Sequence, residues 1–172
     1  MQANRNIRLS VYNYTKTQLQ GMGYAYVYSE YDMRTGITPN SSGSFVYLVD
    51  SMTKPMATTL PFVVLEIQNM RLEPFELGNR LGRCFEVFWH VFGNSRAVRD
   101  DIASYLQDSI MRDGSIVYND YSSGSAVAYP STIQLDSRYL VTVVDSPPPD
   151  REIQEYSLAN WSIVSFTART RQ

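Results

Sequence analysis

The sequence predicts an α+β fold: a mixed or antiparallel β-sheet packed on one face by α-helices, in two layers, with long loop or hairpin arms. Three observations lead there. Residues 60–69, LPFVVLEIQN, are rich in β-branched side chains, as strands are. Residues 83–92, RCFEVFWHVF, alternate with period two, so Phe85, Val87, Trp89 and Val91 fall on one purely apolar face. Residues 95–111 carry Val98, Ile102, Tyr105, Leu106 and Ile110 at helical spacing. Neighbouring strands with helices on one face make a two-layer sandwich. A chain of 172 residues suits one domain spanning 1–172.

Taken in order, residues 4–20 fit both periods. Ile7, Val11, Tyr14 and Thr15 form a helical stripe, whereas Ile7, Leu9 and Val11 alternate like a strand. Gly21 and Gly23 make a plausible helix stop, which favours the helix. Residues 24–31, YAYVYSEY, read as a strand with Tyr24, Tyr26 and Tyr28 on one face. Residues 32–59 are rich in turn formers and read as a long excursion that folding can spare, with a short strand at 45–50. Residues 71–80 hold Pro74 and Gly78 and turn the chain into the 83–92 strand.

After that strand the helix is well signalled. Asn94 or Ser95 caps its first N–H groups, Asp100 and Asp101 lie early, and Gly114 ends it. Arg96–Asp100 and Asp108–Arg112 have the i,i+4 spacing of solvent-side pairs. A hairpin follows from 115–121 and 126–130. Strands at 139–145 and 160–171 complete the set, on either side of the stiff SPPPD segment.

Composition narrows the function. The formal charge of −2 gives no sign of a nucleic-acid-binding domain. A single cysteine, Cys84, excludes an internal disulfide framework and a cysteine-based zinc cluster. No signal peptide or membrane span is visible, so synthesis in a cytoplasm is the simplest expectation. The 13 tyrosines suit strands and also interfaces, where a ring is buried while its hydroxyl finds a partner.

No catalytic signature stands out, and no cofactor or metal is expected. His90 and Cys84 share a strand face but lie six residues apart, about 20 Å along a strand, too far for a nucleophile–base pair. Glu66 and Glu86 flank the 71–82 turn and are the carboxylate pair a small hydrolase would need. Arg80, Arg83, Arg96 and Arg99 make a candidate basic edge, read as the rim of a protein contact in preference to a DNA site. The face carrying Cys84, Glu86, Phe88, His90 and Phe92 mixes charge and aromatics and reads as half-buried against a neighbour. The candidate contact residues are therefore Tyr24, Tyr26, Tyr28, Glu86, Phe88, His90, Arg96 and Arg99.

From about 60 to 112 the chain resembles the tail terminator and neck (tail completion) proteins of long-tailed bacteriophages. A strand such as FVVLEI, a turn, a strand such as FEVFWHVF and a short corner lead into SRAVRDDIASYLQDSI. Arg96, Arg99, Asp100, Ile102, Ala103 and Leu106 stand at the positions of that helix pattern, and an N-terminal helix belongs to it. The resemblance implies a ring-forming virion protein, a hexamer, made in the host cytoplasm. Its partners would be further copies of itself, the tail tube protein and a head completion or connector protein. DNA would pass through its channel without specific binding, and no membrane is involved. Another head–tail connector or tail component is the alternative within that class; the hydrolase using Glu66 and Glu86 is the alternative outside it.

Overall fold

The computed structural model describes residues 2–29, 31–32, 35, 43–50, 60–74, 81–121, 123–124, 127–136, 142–145 and 161–170. Among these, two long helices, α1 (Gln2–Gly21) and α2 (Arg96–Asp113), pack on one mixed sheet. The strands are β1 (Tyr26–Tyr28), β2 (Phe45–Val49), β3 (Phe62–Pro74), β4 (Leu81–Phe92), β5 (Ser115–Asp120), β6 (Val127–Leu135), β7 (Thr142–Asp145) and β8 (Trp161–Thr170). Their spatial order is β1-β2-β3-β4-β8-β6-β5, with β7 also paired to β8. The α+β class is thus present as expected. The SPPPD segment lies outside the described residues.

The long strands at the centre are β3, β4 and β8. Antiparallel pairing joins β4 to both others, from Phe62↔Phe92↔Trp161 at one end to Leu72↔Arg83↔Thr170 at the other. Period-two alternation works as the sequence requires. Phe85, Val87, Trp89 and Val91 all face the helices and are buried with Leu65, Ile67, Val164 and Phe166. Between Gln68 and Arg71 the β3 register slips against Glu86 and Cys84, three steps opposing two. The extra residue is absorbed at Asn69, whose positive φ of 53° is one that asparagine tolerates. The strand therefore continues to Pro74, and the turn expected from residue 71 begins later.

β6 and β7 are one run along β8 with an interruption. Leu135 pairs with Ala168 and Thr142 with Ser165, so seven steps oppose three and four residues are extra. β1, β2 and β3 run parallel. The short strand expected at 45–50 is present as Phe45–Val49, but it is interior to the sheet, with Val46 and Leu48 wholly buried in the core, so this part of 32–59 is not spare; most of the remaining excursion lies outside the described residues. A hydrophobic pentapeptide inside turn-rich sequence becomes a strand because both of its neighbours need a partner.

The two helices seat differently. α2 starts at Ser95, whose Oγ accepts the Val98 N–H, and ends at Gly114 with φ 62°. The corner before it admits only glycine. A Cβ on Gly93 would lie 2.6 Å from the Arg99 backbone nitrogen. α1 contacts both β1 and β5, the two ends of the sheet, so the sheet wraps around it. Ile7, Val11, Thr15 and Leu19 form its buried stripe. On its β5 flank, Ser10 Oγ accepts the Asn119 N–H at 3.0 Å and Asn6 Oδ1 accepts the Tyr121 N–H at 3.3 Å. Side chains of α1 thereby occupy backbone donors along an edge strand, and this also blunts the edge against pairing with other chains.

Two outcomes follow from this packing. Trp89→Ala, which removes a fully buried ring, should cost about 3–5 kcal/mol in urea unfolding; an unchanged midpoint would contradict the inward face. Deleting residues 36–56 takes out β2 and should abolish cooperative thermal unfolding, whereas a retained sharp transition would show β2 to be dispensable.

Candidate functional site

The face of the sheet away from the helices is aromatic. Register alone aligns one ring from each of five successive strands: Tyr28↔Tyr47, Tyr47↔Phe62, Phe62↔Phe92 and Phe92↔Trp161. Phe62 stacks on Phe92 with centroids 4.3 Å apart, and Phe92 on Trp161 at 5.5 Å. Tyr28 meets Tyr47 at 5.5 Å and Tyr26 at 6.0 Å, the latter nearly parallel. Offset aromatic pairs of this kind add to the stabilisation from area burial alone. Tyr47, Phe62, Phe92 and Trp161 are buried, but towards the β1 edge the row opens: Tyr28 is half-buried and Tyr26 is 43% exposed.

His90 lies one row along, between Val64 and Ile163. Its ring faces Trp161 at 5.8 Å, and its Nε2 is 3.0 Å from Glu66 Oε2. Its Nδ1 and the Trp161 Nε1 are both buried without a hydrogen-bond partner among the described residues. The expected half-buried contact face is therefore corrected in its inner part. Cys84, His90 and Phe92 are buried within the chain, and only Glu86 and Phe88 keep intermediate exposure. A period-two reading assigns residues to a face but not the degree to which that face is covered.

Other expected contact residues separate. Tyr26 and Tyr28 do share the aromatic face. Tyr24 packs instead against the helix-side core, because regular alternation starts only at Tyr26, after the Gly23 turn with φ 109°. Arg96 is exposed and forms the expected pair with Asp100 at 3.8 Å. Arg99 is buried, contrary to its reading as a rim residue: its Nη2 binds Asp100 Oδ1 at 2.5 Å, and its Nη1 reaches the Trp161 carbonyl at 3.5 Å. It ties the start of α2 to the start of β8. Arg83 is half-buried and donates to Asn4 Oδ1 at 2.9 Å, while Arg80 lies outside the described residues. The basic edge is accordingly not formed by the arginines described.

Glu66 and Glu86 sit on adjacent strands but opposite different residues, Phe88 and Gln68. Each has its own partners: Glu66 binds His90 and accepts from Gln68 Nε2 at 2.7 Å, and Glu86 accepts from Asn69 Nδ2 at 2.6 Å. Among the described residues no cluster of His, Cys, Asp and Glu suited to a metal ion is present. No described helix is long and apolar enough to cross a membrane.

At the far end of the helix pair, Arg112 turns to Asp113 at 2.9 Å, and Tyr14 donates to the same carboxylate at 2.9 Å. The Arg112 hydrogen bond, reinforced by Tyr14, holds the Asp113 carboxyl below the usual range. Burial, followed by that Asp113 contact, pushes the Tyr14 hydroxyl up. Burial also raises Tyr12, Tyr24 and Tyr47, with nearby carboxylates adding to each shift.

The fold and this face define an α+β single-sheet protein with an aromatic surface that emerges at one edge. No family model matches the chain, and no curated protein is significantly similar to it.

The tyrosine shifts have a definite sign. A phenol whose folded pKa is raised stabilises the fold fully below its unfolded value, and that stability is lost as pH climbs past about 10. Melting temperature should fall above that pH, while a tyrosine absorbance titration of the native chain leaves several phenols un-ionised. Complete ionisation near pH 10 with an unchanged melt would refute the packing of these hydroxyls.

Proposed function

We propose that this chain is a structural subunit of a bacteriophage virion: a tail terminator or neck protein that forms a ring, caps the tail tube and joins it to the head connector. The order of elements supports the reading, since an N-terminal helix, an antiparallel strand pair, a tight corner and a second helix are what the resemblance implies. The observation that carries it is the aromatic row. A ring subunit needs one surface that is closed within itself and another that stays adhesive, because a heterologous contact closes only between unlike patches. The helix side of this sheet is closed. The aromatic side continues to the edge strand β1 and presents Tyr26 and Tyr28 there. Tyrosine is favoured at such contacts because it buries area at low entropic cost.

In this reading the copies form a hexamer, with the tail tube protein on one side and a head completion or connector protein on the other. DNA traverses the opening without specific recognition, and no catalytic step is involved. The same geometry serves another head–tail connector or tail component. The distinction lies in which partner is bound.

Light scattering and negative-stain imaging of the purified chain test the reading. A ring-shaped particle of about six subunit masses is expected. Tyr26→Asp should reduce it to smaller species without lowering the melting temperature, since the residue is partly exposed. A chain that stays monomeric at high concentration and binds neither tail tube nor connector protein overturns the proposal.

A further inference from the structure

A cavity of about 250 Å³ lies between α1 and the sheet, where the parallel strands β1 and β2 end. Crevices outside the carboxyl ends of parallel strands are the usual place for ligands in open sheets, because side chains from different strands and loops converge there. Its sheet-side wall is apolar, made by Leu65 and Ile67 over the wholly buried Leu48. Tyr12 makes a wall, and its hydroxyl donates to the Leu48 carbonyl at 3.3 Å. Burial raises the pKa of that hydroxyl, so it remains neutral.

The rim carries opposite charges. Arg8 comes from α1, and Asp50 follows β2. Among the described residues the Arg8 guanidinium makes one long hydrogen bond, Nη2 to the Ile67 carbonyl at 3.4 Å, and no ion pair joins it to Asp50. A cation and an anion facing one apolar hollow, each without its complement among the described residues, define a ligand with three parts. It needs a carboxylate for Arg8, an ammonium for Asp50 and a hydrocarbon group for the apolar wall. The volume falls below the range of about 300–1,000 Å³ typical of sites for drug-sized molecules, so the ligand is small.

We infer that this cavity binds a free α-amino acid with an apolar side chain. The α-carboxylate meets Arg8, the α-ammonium meets Asp50, and the side chain rests against Tyr12, Leu65 and Ile67. A simple carboxylate would face Asp50 across the rim and a simple amine would face Arg8, so neither alone matches both charges. This inference is independent of the ring reading and holds for a monomer or an assembly.

Isothermal titration of the full chain with L-phenylalanine and L-leucine is the test. Hydrocinnamate, which lacks the ammonium, and phenethylamine, which lacks the carboxylate, are the comparators. Saturable binding of the amino acids at millimolar concentration or below is expected, with each comparator weaker by about tenfold or more. Arg8→Gln and Asp50→Asn should each produce a similar loss. Both residues are exposed at the surface, so circular dichroism melts should be unchanged, and the ligand comparison on the unaltered chain stands even if they are not. No saturable binding, equal binding of a comparator, or indifference to both substitutions overturns the inference.

Discussion

The structure depends on how Trp89 is accommodated at the centre of the sheet. Its ring is fully buried between β3 and β8, and its indole N–H would be costly to desolvate without an acceptor. Thr15 of α1 supplies one: its Oγ1 accepts from Trp89 Nε1 at 3.0 Å and donates to the Val11 carbonyl at 2.8 Å. That two-step chain fixes the rotation of α1, because only one helix face can present Thr15 to β4. With α1 so turned, Ile7, Val11 and Leu19 point into the core. Asn6 and Ser10 then fall on the β5 flank, and Arg8 and Tyr12 on the flank towards β2. One buried hydrogen bond thus coordinates the core, the closed edge of the sheet and the position of the cavity.

Once the helical side is settled, the other side of the sheet follows from pleating. Each residue between two inward-facing ones must point outward, so β4 carries Phe88, His90 and Phe92 away from the helices. Tyr47 and Phe62 do the same on β2 and β3. The alignment of these rings into one row is a consequence of register, and register here is set by the helix-side pattern, since slipping a strand by one residue would exchange its two faces. The aromatic face and the apolar core are therefore two results of the same alternation. The bulge at Asn69 shifts the far half of β3, beyond the aromatic row, and so leaves the row intact.

Legibility in the sequence divided along the same line between local and long-range information. The stripe of β4, the capped helix from Ser95 to Gly114 and the N-terminal helix were readable because their signals lie within a few turns or pleats. β2 is legible as a short apolar strand, but its place inside the sheet is not, because its flanks are rich in turn formers and its pairing partners lie far away in sequence. The aromatic row was invisible for a stronger reason: Tyr28, Tyr47, Phe62, Phe92 and Trp161 have no shared period, and only pairing brings them together. Arg99 reads as a rim residue because a charged residue near a helix start ordinarily lies in solvent. Here its neighbour Asp100 and the Trp161 carbonyl satisfy it in place of water. Tyr24 falls on the other face because the turn at Gly23 resets the alternation that its spacing to Tyr26 and Tyr28 suggests.

Burial of the polar groups on the aromatic side raises a further physical point. Glu66 accepts one hydrogen bond from His90, but among the described residues His90 Nδ1 and Trp161 Nε1 have no partner, although both nitrogens are out of contact with solvent. On the helical side, by contrast, the buried Thr15 hydroxyl and Trp89 indole satisfy each other. The two faces thus differ in composition, yet among the described residues neither is fully satisfied, since Ser109 Oγ on the buried face of α2 also lacks a partner. Polar atoms left in that condition weaken the isolated chain relative to a state in which an acceptor or donor reaches them.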